Sequence, residues 1–152
     1  CHKQRPQVPS NKAEVDTTRI ALMKAHQRLV DMANDELAAY VVAHDNNYQQ
    51  SEMGYWFRFT SPHTAVIDAA DTIDFHTIAY QAFMLDDVAV EDVSLDFTPH
   101  RKMTTTAVED MALHMHHGEQ VEMLVPWYLM YGREGHGHVP PYTQLRLLMR
   151  VE

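Results

Sequence analysis

The stretch "WYLMYGREGHGHVPPY", residues 127–142, holds three tyrosines, three glycines, two histidines and the pair Pro140-Pro141. A phosphate cradle would need a glycine-rich turn directly before a helix, with a Lys or Ser/Thr in place. Here the two prolines follow, and then an apolar alternation that reads as a strand. A zinc site would need about four ligands in tetrahedral array. His136 and His138 offer two, and His114, His116 and His117 lie elsewhere, with none of the standard ligand spacings. No metal and no cofactor is expected. The stretch reads as a loop built for its shape.

Working outward, "LRLLMRV" after the loop alternates Leu145, Leu147, Met149 and Val151 with Arg146, Leu148 and Arg150, the period of a half-buried strand. "QVEMLVP" before it is a second strand. "TTTAVEDMALHMHHGE" reads as a short helix ended by Gly118. Further back, "TIDFHTIAYQAFML" (residues 72–85) alternates, with Ile73, Phe75, Thr77 and Ala79 on one face and Ile78, Tyr80, Ala82 and Met84 on the other. Asp86 and Asp87 make a turn into "VAVEDV", and "GYWFRFT" is aromatic and β-prone. Leu22, Leu29, Ala33, Leu37 and Tyr40 recur on one face of a long helix, capped by Asp16 or Thr17 and stopped at His44 to Asn47. A helix, several strands, a short helix and more strands make an α+β domain with a mainly antiparallel sheet.

At 152 residues the chain is long enough for one domain with a sizeable core. Its formal net charge is −9. No Lys or Arg falls between Arg58 and Arg101, where Asp68, Asp71, Asp74, Asp86, Asp87, Glu91, Asp92 and Asp96 cluster. Such a field repels a phosphate backbone, which argues against nucleic acid as a partner. Cys1 is the only cysteine, so there is no internal disulfide. A first-position Cys followed by the polar, proline-containing "HKQRPQVPSNK" looks like a processed bacterial lipoprotein, with lipid on Cys1 and residues 1–11 as a flexible tether. The location expected from that reading is the bacterial cell envelope, with the chain anchored to a membrane through its lipid and facing the periplasm or outer membrane. A monomer is expected.

Read as one piece, "AVEDMALHMHHGEQVEMLVPWYLMYGREGHGHVPPYTQLRLLMRVE" resembles the C-terminal half of an FKBP-type peptidyl-prolyl isomerase. That family runs short helix, "M..G", strand, Pro-rich turn, "YG..G", "PP" and a final apolar strand. The counterparts are Met115 and Gly118, Val121 to Val125, Tyr131-Gly132, Gly135, Pro140-Pro141 and Leu145 onward. The likeness extends more weakly back to Ile73. With the N-terminal Cys, the helix and "YQQSEMGYWFRF", the chain also resembles the FKBP-like lipoproteins associated with gliding motility. The implied organisation is a tether over 1–11, a helix over 12–47 and an FKBP-like domain over 48–152.

The resemblance implies a site as well. Tyr80 matches the pocket tyrosine of the long strand, Tyr131 the tyrosine that holds a ligand carbonyl, and His136 the flap histidine. Val139 matches an apolar flap residue, Leu147 an aromatic of the last strand and Val90 a phenylalanine. Glu91 or Asp92 stands for an aspartate, and Phe97 is a candidate aromatic wall. Val108 replaces the tryptophan that floors the family's pocket. The function implied is cis-trans isomerisation of X-Pro bonds in proline-containing envelope or secreted clients. Because Val108, Val90 and Leu147 depart from the aromatic pattern, a non-catalytic FKBP-like binding or chaperone module is the second reading.

Overall fold

The computed structural model describes residues 8–44, 47–64, 73–99 and 101–152; Cys1 lies outside them. Helix α1 is Val8–Ala43. Strands β1 (Gln49–Gln50) and β2 (Trp56–Phe59) follow, then β3 (Thr77–Met84) and β4 (Ala89–Asp96). Helix α2 is Thr106–Ala112, β5 is Gln120–Val125, a 3-10 turn spans Trp127–Leu129, and β6 is Leu145–Val151. The strands form one six-stranded sheet in the order β1-β2-β5-β6-β3-β4, and every neighbouring pair is antiparallel.

The two faces of the sheet differ because side chains alternate along each strand. On β6, Leu145, Leu147, Met149 and Val151 are buried, while Leu148 and Arg150 are exposed. Val121, Met123 and Val125 of β5 and Ile78, Tyr80 and Ala82 of β3 join the same core, which α2 closes with Ala107, Val108, Met111 and Ala112. The second half of α1 lies over the opposite face, where Leu37 and Val41 meet Leu124, Tyr48 and Trp56. The sheet is thus covered by a helix on each side.

Two element boundaries and the burial of one helix face differ from the sequence reading. α1 starts at Val8, ahead of the expected cap at Asp16 or Thr17, so residues 8–11 of the expected tether are helical. Pro9 falls in the first turn, where a missing N–H leaves no intrahelical bond unmade. The apolar face of α1 is buried only from its middle onward: Ala33 and Leu37 are covered, but Leu22 is 66% exposed because the sheet does not extend beneath it. α2 ends at Ala112, six residues before Gly118. Gly118, at φ +80, instead makes the turn into β5, and its N–H bonds the Val151 carbonyl at 2.9 Å.

The 127–142 loop does two things in succession. Its first residues fasten α1: Trp127 Nε1 donates to the Leu29 carbonyl at 3.3 Å and the Tyr128 hydroxyl to Asn34 Oδ1 at 2.7 Å. Gln144 works from the far end, accepting the Trp127 N–H at 2.9 Å and donating to Glu36 at 3.0 Å. The later residues fold back on themselves, with His136 and Val139 exchanging backbone bonds of 3.0 and 2.8 Å. Gly135 is required there: a Cβ would sit 2.4 Å from the Val139 carbonyl oxygen, and its φ is +72.

Candidate functional site

The folded-back loop brings Tyr131 and His136 against the core face of the sheet at β3 and β4. Tyr80, on β3, points into that face and is buried. Glu91 pairs with Ala82 across the β3–β4 ladder and so shares the face of Tyr80. Asp92, the alternative in the sequence, is exposed on the other face. Val90 is the extra residue of a β-bulge: Glu91 opposes Ala82 and Ala89 opposes Phe83.

A hydroxyl chain links these elements. The Tyr131 hydroxyl donates to Glu91 Oε2, and the Tyr80 and Tyr131 hydroxyl oxygens are 3.0 Å apart. A carboxylate accepts only, so the Tyr131 proton goes to Glu91, and Tyr80 must donate to Tyr131. The His136 ring stacks on Tyr131 at 4.8 Å between centroids, with Nε2 3.8 Å from Glu91 Oε1. Burial, then the bond to Glu91, pushes the Tyr131 phenol far above its ordinary value, so it remains a proton donor. Burial also raises Tyr80 above its ordinary value.

Beneath this chain lies an apolar floor. Val108 and Leu147 are fully buried, Val139 nearly so, and all three belong to the core cluster against which Tyr131 and Val90 pack. Phe97 joins that cluster too, but its ring stacks on Phe75 at 5.5 Å, so it is engaged by a core partner. The structure thus gathers Tyr80, Tyr131, His136 and Glu91 by direct contact. Val108, Val139, Leu147 and Phe97 form the surrounding core, and Val90 lies at its edge.

Sequence reasoning missed Thr105 and Met130. Met130 packs against the core and its sulfur accepts from Thr105 Oγ1 at 3.2 Å. The run "TTT" before α2 was the available signal for hydroxyls at this end of the helix. Nothing in its spacing distinguishes a site hydroxyl from a helix cap.

No protein-family model matches the chain, and no curated protein matches it. Solved structures do. A peptidyl-prolyl cis-trans isomerase from Pseudomonas syringae pv. tomato is similar over 80% of this chain and 92% of its own, with 16% identity and a TM-score of 0.61. FkpA from Escherichia coli is similar over 98% of this chain and 72% of its own, with 16% identity and a TM-score of 0.57. The N-terminal domain of FKBP42 from Arabidopsis thaliana is similar over 70% of this chain and 91% of its own, with 17% identity and a TM-score of 0.57. At these identities the likeness concerns fold: the chain has the FKBP-like α+β fold, an antiparallel sheet on one short helix with a long N-terminal helix before it.

Proposed function

We propose that the chain is a peptidyl-prolyl cis-trans isomerase, with Tyr80, Tyr131 and His136 at its centre. The observation that carries this reading is the Tyr80–Tyr131–Glu91 hydroxyl chain set over the buried floor of Val108, Leu147 and Val139. Rotation about a peptide bond meets a barrier of roughly 18–20 kcal/mol, imposed by amide resonance. Resonance separates charge, which water favours and an apolar surface does not. A prolyl ring seated beside Tyr131, on the apolar layer that the buried Val108 and Leu147 back from beneath, therefore loses part of what holds its amide planar. The Tyr131 hydroxyl, protonated across the physiological range, holds the substrate carbonyl by turning its proton away from Glu91. His136, 63% exposed on its side chain, covers the loop side of the bound segment. No nucleophile and no cofactor enters this chemistry.

A second reading, a non-catalytic peptide-binding module, is favoured by one feature. Both phenol protons are spent inside the chain, on Tyr131 and on Glu91, so a substrate carbonyl must compete for a donor. A protease-free prolyl-peptide assay separates the two. Cis-trans exchange faster than the uncatalysed rate, in proportion to protein concentration, supports the isomerase. Peptide binding without acceleration supports the module. We place the clients among envelope or secreted polypeptides on the expectation of a lipid at Cys1, and extend the resemblance to gliding-associated lipoproteins on the same ground. Fractionation of a Cys1→Ser precursor tests that placement: its release from the membrane supports it, and retention there overturns it.

A further inference from the structure

A second cleft, of about 460 Å³, opens on the core face of the sheet between β2, the β1–β2 turn and α2. Strands β5 and β6 separate β2 from β3, and none of Tyr80, Glu91, Tyr131 or His136 lines the cleft. Its walls are aromatic. Phe57 and Phe59 stand edge to face at 6.0 Å, and the His63 ring stacks on Phe59 at 3.6 Å. Buried Tyr55 and Met111 also line it.

Two carboxylates face this aromatic surface, Asp110 from α2 and Glu52 from the turn. The Tyr55 hydroxyl donates to Asp110 Oδ2 at 2.7 Å, which fixes the carboxylate while using only one of its acceptor positions. Burial and that bond keep the Tyr55 phenol protonated, so it remains the donor to Asp110. Among the described residues no Lys or Arg lines the cleft, and the whole chain carries −9. Aromatic faces with negative quadrupoles and two carboxylates attract one kind of group, a planar or compact cation.

We infer that this cleft binds an arginine side chain of a basic polypeptide, with the guanidinium on Asp110 and Glu52 and its stem against Phe57 and Phe59. Guanidinium suits the site better than ammonium because it stacks on aromatic rings and sheds water more readily. The cleft is larger than one guanidinium, and Met53, 43% exposed, extends an apolar shelf at its rim for neighbouring residues.

The test is an amide-shift titration of the isotope-labelled full chain with acetyl-Leu-Arg-Leu-amide and with its citrulline analogue, which keeps the shape and removes the charge. The arginine peptide is expected to shift the amides of Phe57, Phe59 and Asp110, and to bind roughly tenfold tighter than the citrulline peptide. Asp110→Asn, which keeps an acceptor for Tyr55, and Glu52→Gln, an exposed change, should each weaken it several-fold. Glu52→Gln should leave prolyl-peptide exchange unaltered. Equal binding of the two peptides, shifts mapping away from β2 and α2, or no saturable shift at millimolar peptide would each overturn the assignment. So would full binding by both charge variants.

Discussion

Two tyrosine–glutamate pairs sit on opposite faces of the same sheet, and they are built differently. On the α1 side, Tyr48 donates to Glu122, which also receives Arg58 at 3.2 Å and lies 4.0 Å from Arg146. The Arg58 guanidinium lies over the Tyr48 ring at 5.2 Å. On the α2 side, Tyr131 donates to Glu91, and the basic group facing that carboxylate is the largely exposed His136 at 3.8 Å. A buried carboxylate held by two guanidiniums has no reason to change partners, because losing one leaves a buried charge uncompensated. A carboxylate held by a phenol and a solvated imidazole can release its phenol at far lower cost. The first pair is framework; the second is where a ligand can enter.

The largest effect should come from breaking the framework side. Leu37 is fully buried between α1 and the sheet, so Leu37→Ala is expected to cost about 2–5 kcal/mol in denaturant unfolding. Leu22→Ala on the same helix should stay within about 0.5 kcal/mol, because Leu22 is exposed. Similar losses from both would show that α1 is buried along its whole length.

Next in size is the floor. Val108 is fully enclosed, so Val108→Trp is expected to overpack the core and cost about 1–3 kcal/mol. A rise in prolyl-peptide turnover with unchanged stability would instead show room under Tyr131 for the aromatic floor that the resemblance implies.

The two carboxylates then sharpen the contrast. Glu122→Gln removes the charge that faces Arg58 and Arg146 and should cost about 1–3 kcal/mol without altering prolyl-peptide exchange. Glu91→Gln should cost less stability and change exchange more. The reverse ranking would exchange the roles assigned to the two faces.

Strand alternation made much of the fold legible in the sequence. The burial of Leu145, Leu147, Met149 and Val151 follows the period of two residue by residue, and Tyr80, read on the strand, meets Tyr131, read in the loop. Less legible were features set by distant partners. Whether Leu22 or Leu37 is covered depends on where the sheet ends, which helical periodicity does not encode. The choice between Glu91 and Asp92 depends on the ladder register and the bulge at Val90. Trp127 and Tyr128 read as parts of one loop with Tyr131, yet their partners are on a helix almost a hundred residues earlier.

A smaller effect follows from the phenols. Tyr131, Tyr55 and Tyr48 are all raised above the ordinary tyrosine value near 10, chiefly by burial and then by bonds to carboxylates. Protonated phenols are preferred in the folded state, so their contribution is fully present below pH 10 and is lost as the pH climbs above it, where the unfolded chain ionises first. Denaturation midpoints should therefore fall between about pH 10 and 12, less steeply in Tyr131→Phe than in the parent. Equal slopes would mean that the Tyr131 hydroxyl is not held in the folded state.

The most direct measurement is prolyl-peptide exchange, by a protease-free assay, in the parent, Tyr131→Phe and Tyr48→Phe. Each variant removes one phenol hydroxyl from one tyrosine–glutamate pair. One hydrogen bond to the substrate carbonyl is worth about 0.5–1.5 kcal/mol, so Tyr131→Phe should slow exchange by several-fold to roughly tenfold. Tyr48→Phe should leave exchange at the parent rate while lowering stability. Exchange unaffected by Tyr131→Phe, or lost equally in both variants, would contradict a catalytic site at Tyr80 and Tyr131.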